Sequence, residues 1–279
     1  MKAFRYKRFK ADDGAVIRYV DTYQSNPKTV LFLHGLAGRG SEFAEIAKRL
    51  AGTHRIVWMD YRGCGKTKLK GSAAQQQTAK DVLALIEHLG LEDVVLAGMS
   101  LGAHVLFRYV KEYGQKHLKS VVVMDMSPKL TACEEWKLGY TNGGYTEGMF
   151  KAELKEIDED ISKFKGKLFV QYLNFLRPGK PKPKRINWFH KVAGKMMIPK
   201  VFVEAYCDMF SQDYREDIGS ITLPCALIYG RPGSIYCEDT ARFLHERIPN
   251  SELFPLQDAV HEKLLTRADE ISEIILRYS

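Results

Sequence analysis

The pentapeptide Gly98-Met99-Ser100-Leu101-Gly102 sets a serine between two glycines. A serine hydroxyl is a poor nucleophile until it is exposed and paired with a base. A sharp turn from strand to helix provides the exposure, and flanking glycines permit the close approach that such a turn requires. Three fixed positions are a weak signal alone, so context decides. Here the apolar run Asp93 to Ala97 precedes the serine, and a helical pattern from Leu101 to Tyr113 follows it. The chemistry implied is attack of Ser100 on an acyl carbon. The resulting oxyanion needs preorganised N–H donors, and the positive end of the helix after Ser100 favours the same charge. The backbone N–H of Leu101 is one expected donor. The other is that of Leu36, two residues beyond His34, where an earlier apolar run ends in His34-Gly35.

Elements that could hold these groups are legible along the chain. Continuous apolar runs occur at Thr29 to Leu33, Arg55 to Met59, Asp93 to Ala97, Ser120 to Met124 and Pro224 to Tyr229, with a last short run at Glu252 to Phe254. Continuous rather than alternating runs indicate strands covered on both faces. Alternation marks Ala15 to Tyr23 and the N-terminal ten residues as outer strands. In Thr78 to Gly90, the residues Val82, Leu85, Ile86 and Leu89 form one apolar stripe, and Gly90 supplies a C-terminal stop. Leu101 to Tyr113 and Glu262 to Tyr278 read similarly. Strand and helix in alternation predict an α/β fold with a mostly parallel sheet and helices on both faces.

One segment breaks the rhythm. Residues 129–205 are aromatic and mostly helical in pattern, with Gly166 to Leu176 competing as a strand and Arg177-Pro-Gly-Lys-Pro-Lys-Pro as a loop. The expected organisation is a first core part over 1–128, a helical cap over 129–205, and a second core part over 206–279. Trp136 and Tyr140 in this cap are expected substrate contacts. An ordinary helical subdomain packed on the sheet would have the same sequence signature.

Four landmarks in order carry a resemblance: His34-Gly35, Asp60-Tyr-Arg-Gly-Cys-Gly65, the turn Gly98 to Gly102, and His261 after the last strand. Over nearly its whole length the chain resembles the α/β-hydrolase superfamily. The resemblance implies an eight-stranded sheet with its second strand antiparallel and a variable cap after strand six. It assigns the general base to His261 among the eight histidines, although Val260 stands where the family often has glycine. It also assigns His34 to support of the oxyanion loop. His104, one turn into the helix after Ser100, is within reach of the site, with packing the expected role.

The acid is where the chain departs from the family. The usual aspartate follows strand seven, at the position of Gly233, with Ser234 beside it. Some relatives carry the acid after strand six instead, and Asp125 ends the run Ser120 to Met124. Asp125 is therefore the expected partner of His261, which needs an acceptor on its second nitrogen to fix the tautomer. A turn-capping role for Asp125 is the alternative. Glu238 and Asp239 read as the first turn of a helix, and Asp258 is close to His261 in sequence.

Composition bounds the rest. The chain has 279 residues, 45% hydrophobic, with five scattered cysteines and no C-x-x-C pair. No zinc spacing, secretory leader or membrane-length apolar stretch is legible. A reduced cytoplasmic protein without metal or cofactor is expected. Its net charge is +8, and eight basic residues with no acidic ones fall between Arg177 and Val203. A solvated surface is the first reading of this run, and a rim attracting anionic substrates or a membrane surface the second. The expected partner is a small-molecule substrate, with no nucleic acid and no stable membrane insertion, and a homodimer is compatible with the sequence.

Cleavage of esters with a small to medium apolar or aromatic acyl group is the leading function. Two readings keep the fold and change the outcome. The resemblance extends to cofactor-independent dioxygenases and C–C bond hydrolases, and to ligand receptors with little turnover.

Overall fold

The computed structural model of the protein describes residues 4–23, 28–160, 199–231 and 235–279. The expectations for Gly166 to Leu176, for Gly233 and Ser234, and for the basic run up to residue 198 fall outside these residues.

Eight strands form one sheet: β1 (Tyr6–Lys10), β2 (Val16–Asp21), β3 (Thr29–Leu33), β4 (Arg55–Asp60), β5 (Val94–Met99), β6 (Leu118–Met124), β7 (Cys225–Arg231) and β8 (Ser251–Gln257). Their order is β1-β2-β4-β3-β5-β6-β7-β8. Strand β2 runs antiparallel to both neighbours, and the remaining pairs are parallel. The central strands are apolar at consecutive positions because alternate residues feed two separate cores. Leu31 and Leu33 of β3 join one, with Val82, Leu85 and Ile86 of α2 (Gln75–Leu89) and Val105, Leu106 and Phe107 of α3 (Leu101–Tyr113). Val30 and Phe32 join the other. There they meet Ile46 and Leu50 of α1 (Ala44–Leu50), and Ile271 and Ile275 of the C-terminal helix Ala268–Tyr278.

Element ends differ from the sequence reading where polar contacts set them. Helix α2 starts at Gln75, three residues before the apolar stripe requires. Its polar first turn is held from elsewhere, since the Gln75 N–H donates to Asp208 Oδ2 at 2.8 Å. Its end follows the expectation, because Gly90 takes the left-handed conformation (φ 57°) and Leu91 N–H reaches back to the Ile86 carbonyl. The expected helix Glu262 to Tyr278 is two pieces. A 3-10 turn, His261–Thr266, precedes the helix Ala268–Tyr278, with a break at Arg267, whose guanidinium takes the Gln257 carbonyl and Glu270.

The loop after β4 is an anchor. Asp60 is buried and accepts N–H bonds from Gly40 (2.8 Å) and Lys66 (2.7 Å). Arg62, also buried, pairs with Asp81 at 2.7 Å and with Asp13 at 2.5 Å. Hydrogen bonds from Arg62 hold the Asp13 carboxyl down to about 2. A carboxyl lowered on folding contributes stability above its unfolded value of about 3.9, and that contribution is lost as pH falls through the folded value. Asp13→Asn should therefore flatten the loss of stability between about pH 4 and pH 2. Unfolding midpoints across that range check this, and an unchanged slope would separate the pair from acid stability.

Between β6 and β7 the chain leaves the sheet and forms α4 (Glu147–Glu159) and α5 (Pro199–Ser211). Helix α4 starts on Thr146, whose hydroxyl accepts the Met149 N–H at 3.2 Å. Phe150, Tyr145, Tyr206 and Phe210 pack together there, and the Tyr206 hydroxyl donates to the buried Glu153 at 2.7 Å. The segment is closed at its base by a bridge between Lys129 and Asp213, and Tyr214 N–H donates to the Pro128 carbonyl at 2.9 Å. This neck joins the chain at Pro128 and Lys129 to Asp213 and Tyr214. The expected end at 205 is corrected, since it falls inside α5, whose apolar face continues to Phe210. Among the described residues, no helix is long and apolar enough to cross a membrane.

Candidate active site

Ser100 sits where β5 turns into α3, with φ 54° and ψ −120°. A non-glycine residue held there costs about 1–3 kcal/mol, and persists only where its surroundings enforce it. Two glycines make the enforcement feasible. A Cβ on Gly98 would lie 2.4 Å from the Gly102 carbonyl oxygen, and one on Gly102 would lie 2.1 Å from that of Leu33. Gly102→Ala should therefore push α3 off β3, costing about 1–3 kcal/mol by overpacking and misplacing Ser100. Denaturant unfolding together with turnover per folded molecule checks this; wild-type stability would show that the helix can withdraw without penalty.

The loop after β3 lies against Ser100. A Cβ on Gly35 would sit 3.5 Å from the Ser100 Cβ and 4.0 Å from its Oγ. His34 holds that loop. Its Nδ1–H donates to the Gly35 carbonyl (2.9 Å), and its Nε2 accepts the Tyr61 N–H (3.1 Å) while its ring stacks on Tyr61. Both nitrogens are committed, and burial holds its pKa well below the ordinary imidazole value. His34 is thus a neutral scaffold residue, as expected of it. The Leu36 and Leu101 N–H groups donate to no backbone carbonyl among the described residues. Both belong to segments that border Ser100.

Asp125 follows β6 directly, is fully buried, and has φ 48°. Its Oδ2 lies 2.6 Å from His261 Nδ1. A carboxylate can only accept, so Nδ1 carries the proton and Nε2 is the nitrogen left to face a nucleophile. Ser100 Oγ makes no hydrogen bond among the described residues; nucleophile–base bonds commonly tighten only when substrate is present. The other acids lie elsewhere. Glu238 pairs with Arg231 at 2.5 Å and Asp239 with Arg242 at 3.3 Å, on the outer face of α6 (Glu238–Arg247), and Asp258 is exposed.

The two expected substrate contacts separate. Trp136 is buried: its Nε1–H donates to the Lys129 carbonyl at 2.9 Å, and its ring meets Phe243 edge-on and the Arg215 guanidinium. These contacts are with the protein's own side chains. Tyr140 is half-buried and packs on Tyr145 and Phe210. It is close enough to Tyr236 to influence that phenol electrostatically, and Tyr236 packs edge-on against His261 at 5.9 Å.

Tyr229 and Tyr236 were not legible as site residues. The Tyr229 hydroxyl donates to the Met126 carbonyl at 2.5 Å, and that of Tyr236 contacts Met126 Sδ at 3.1 Å. Burial, with the nearby Asp125 charge, raises both phenol pKa values well above normal, so both remain neutral donors. Tyr229 ends an apolar run, which marks a strand and says nothing of its hydroxyl. Among the described residues, no group of three or more His, Cys, Asp or Glu is arranged to hold a metal ion.

Comparison with known proteins agrees with this architecture. The family described as alpha/beta hydrolase fold matches residues 28–268. A non-heme chloroperoxidase from Kitasatospora aureofaciens is 26% identical over 265 residues, covering 92% of this chain and 93% of its own. A pimeloyl-[acyl-carrier protein] methyl ester esterase from Aeromonas hydrophila is 24% identical, covering 92% and 96%. Among solved structures, an esterase from Exiguobacterium antarcticum superposes with a TM-score of 0.78 at 22% identity, covering 98% of each chain.

Proposed function

The chain belongs to the α/β-hydrolase family, and from that premise we propose that it is a serine hydrolase cleaving carboxylic esters through an acyl-enzyme. The observation that carries the reading is the strained Ser100 at the N-terminus of α3. Covalent catalysis needs a serine presented in this way; a fold using only its histidine as a base does not.

In the proposed cycle Ser100 Oγ attacks the ester carbonyl while His261 Nε2 takes its proton. Asp125 holds the other nitrogen and stabilises the imidazolium. The oxyanion is received by the Leu36 and Leu101 N–H groups. His261 then protonates the departing alcohol, water attacks the acyl-enzyme, and Ser100 is restored. Tyr236 packs edge-on against His261 at 5.9 Å, and this aromatic neighbour supports a small to medium apolar or aromatic acyl group.

A panel of chromogenic esters of increasing acyl length tests the reading, together with a fluorophosphonate probe. Turnover and labelling at one site per chain are expected. An acid after β6 also suits a cofactor-independent dioxygenase. Oxygen uptake with a heteroaromatic substrate, without ester turnover or labelling, would transfer the assignment to that chemistry.

A further inference from the structure

The turn that carries Asp125 is held at three consecutive carbonyls by three different parts of the fold. The Met126 carbonyl accepts from the Tyr229 hydroxyl of β7 (2.5 Å). The Ser127 carbonyl accepts from His104 Nε2 of α3 (2.7 Å), and the Pro128 carbonyl from the Tyr214 N–H (2.9 Å). Asp125 itself donates its N–H to Ile228 of β7 at 2.8 Å. Beyond Asp125 the backbone has left the sheet, so strand pairing no longer fixes it, and the φ of 48° at Asp125 is uncommon for a residue with a side chain.

His104 is the unusual member of this set. It lies one turn beyond the nucleophile, and its own N–H reaches the Ser100 carbonyl at 3.3 Å. Its side chain is fully buried against Phe107 and Tyr214. Because a carbonyl can only accept, Nε2 carries the proton. Nδ1 has no hydrogen-bond partner among the described residues. A leucine here would fill the space without burying an unsatisfied nitrogen. Burial lowers the imidazole to about 4, so it stays neutral and its tautomer is fixed.

We propose that His104 is a positioning residue for catalysis: it ties the nucleophile's helix to the acid's turn, so that Ser100 and Asp125 are aligned as one unit. The inference rests on the assignment of Ser100, His261 and Asp125 above. With the His104 bond removed, the turn can relax, and Asp125 loses its aim at His261 Nδ1.

The test compares His104→Leu, His104→Gln and Tyr229→Phe, each with and without Asp125→Asn. Glutamine can present its amide N–H near the place of Nε2. His104→Leu should lower kcat by about 10- to 100-fold with KM little changed, on the scale of a positioning defect. It should also shift or abolish the far-downfield NMR resonance of the His261 Nδ1 proton. His104→Gln should restore both. In the Asp125→Asn background the His104→Leu effect should largely vanish, because residues acting through one group are not additive. Tyr229→Phe, which hardly changes volume, should move the same two readouts and covers the case in which His104→Leu does not fold. A full kcat loss persisting in the Asp125→Asn background would overturn the proposal, as would an unmoved resonance in both His104→Leu and Tyr229→Phe. If Asp125→Asn itself turned over like wild type, the assignment of the acid would fall, and the proposal with it. A damaged Asp125→Asn beside an unaffected His104→Leu would overturn the positioning role alone.

Discussion

Ser100→Ala is expected to lose on the order of 10^4-fold or more in kcat, with KM within a few-fold of wild type and no fluorophosphonate labelling. The residual rate would come from the oxyanion donors and binding alone. The backbone supplies an internal control. Ser100 has φ 54°, which alanine tolerates no better than serine, whereas glycine adopts it without strain. Ser100→Gly should therefore be inactive yet more stable than Ser100→Ala by about 1 kcal/mol. Denaturant unfolding of the two variants measures that difference, and equal stabilities would mean that the turn is relaxed. Survival of substantial ester turnover in Ser100→Ala would remove the serine mechanism altogether.

Asp125→Asn is expected to cost about 10^2- to 10^4-fold in kcat with the fold intact. An asparagine can turn its NH2 group toward His261 Nδ1. The ring would then carry its proton on Nε2, the wrong nitrogen for accepting one from Ser100. The 2.6 Å contact between Asp125 Oδ2 and His261 Nδ1 makes this the acid to change. Activity within about threefold of wild type, with loss in Glu238 or Asp239 variants instead, would refute the choice, since general-base catalysis itself is worth about 10^2–10^4. The two substitutions together separate the chemistries. An ester hydrolase needs both side chains, whereas a base-driven oxygenation would lose rate in Asp125→Asn and keep it in Ser100→Ala.

Much of the sheet could be read directly because its strands face two cores. Thr29–Leu33 and Leu101–Tyr113 have the limits that their patterns suggest. Strand β8, at the edge of the sheet, extends beyond the apolar run Glu252 to Phe254, because Pro255 and the polar Gln257 break the pattern without ending the strand. At the site, Asp125 could be inferred because Gly233 occupies the position where the family usually has its acid, and the resemblance includes relatives with the acid after strand six. Tyr229 and His104 could not, since each acts through a carbonyl far from it in sequence. No local pattern encodes such a bond. Trp136 is hard to read for the opposite reason: a tryptophan in an inserted segment looks the same in sequence whether it meets a substrate or packs, as it does here, on Phe243 and Arg215.

Strands β5 and β6 are neighbours joined by α3, so Ser100 and Asp125 belong to a single β–α–β unit. His261 stands apart, beyond β8. In the proposed cycle the serine and the acid emerge early, within this one unit, but the turn that carries Asp125 is complete only once Tyr214, Ile228 and Tyr229 have followed. The imidazole of His261 comes later still. A chain interrupted before β7 would hold Ser100 on its turn with neither an aligned acid nor a base, so the segment from β7 to His261 would act as the arming step.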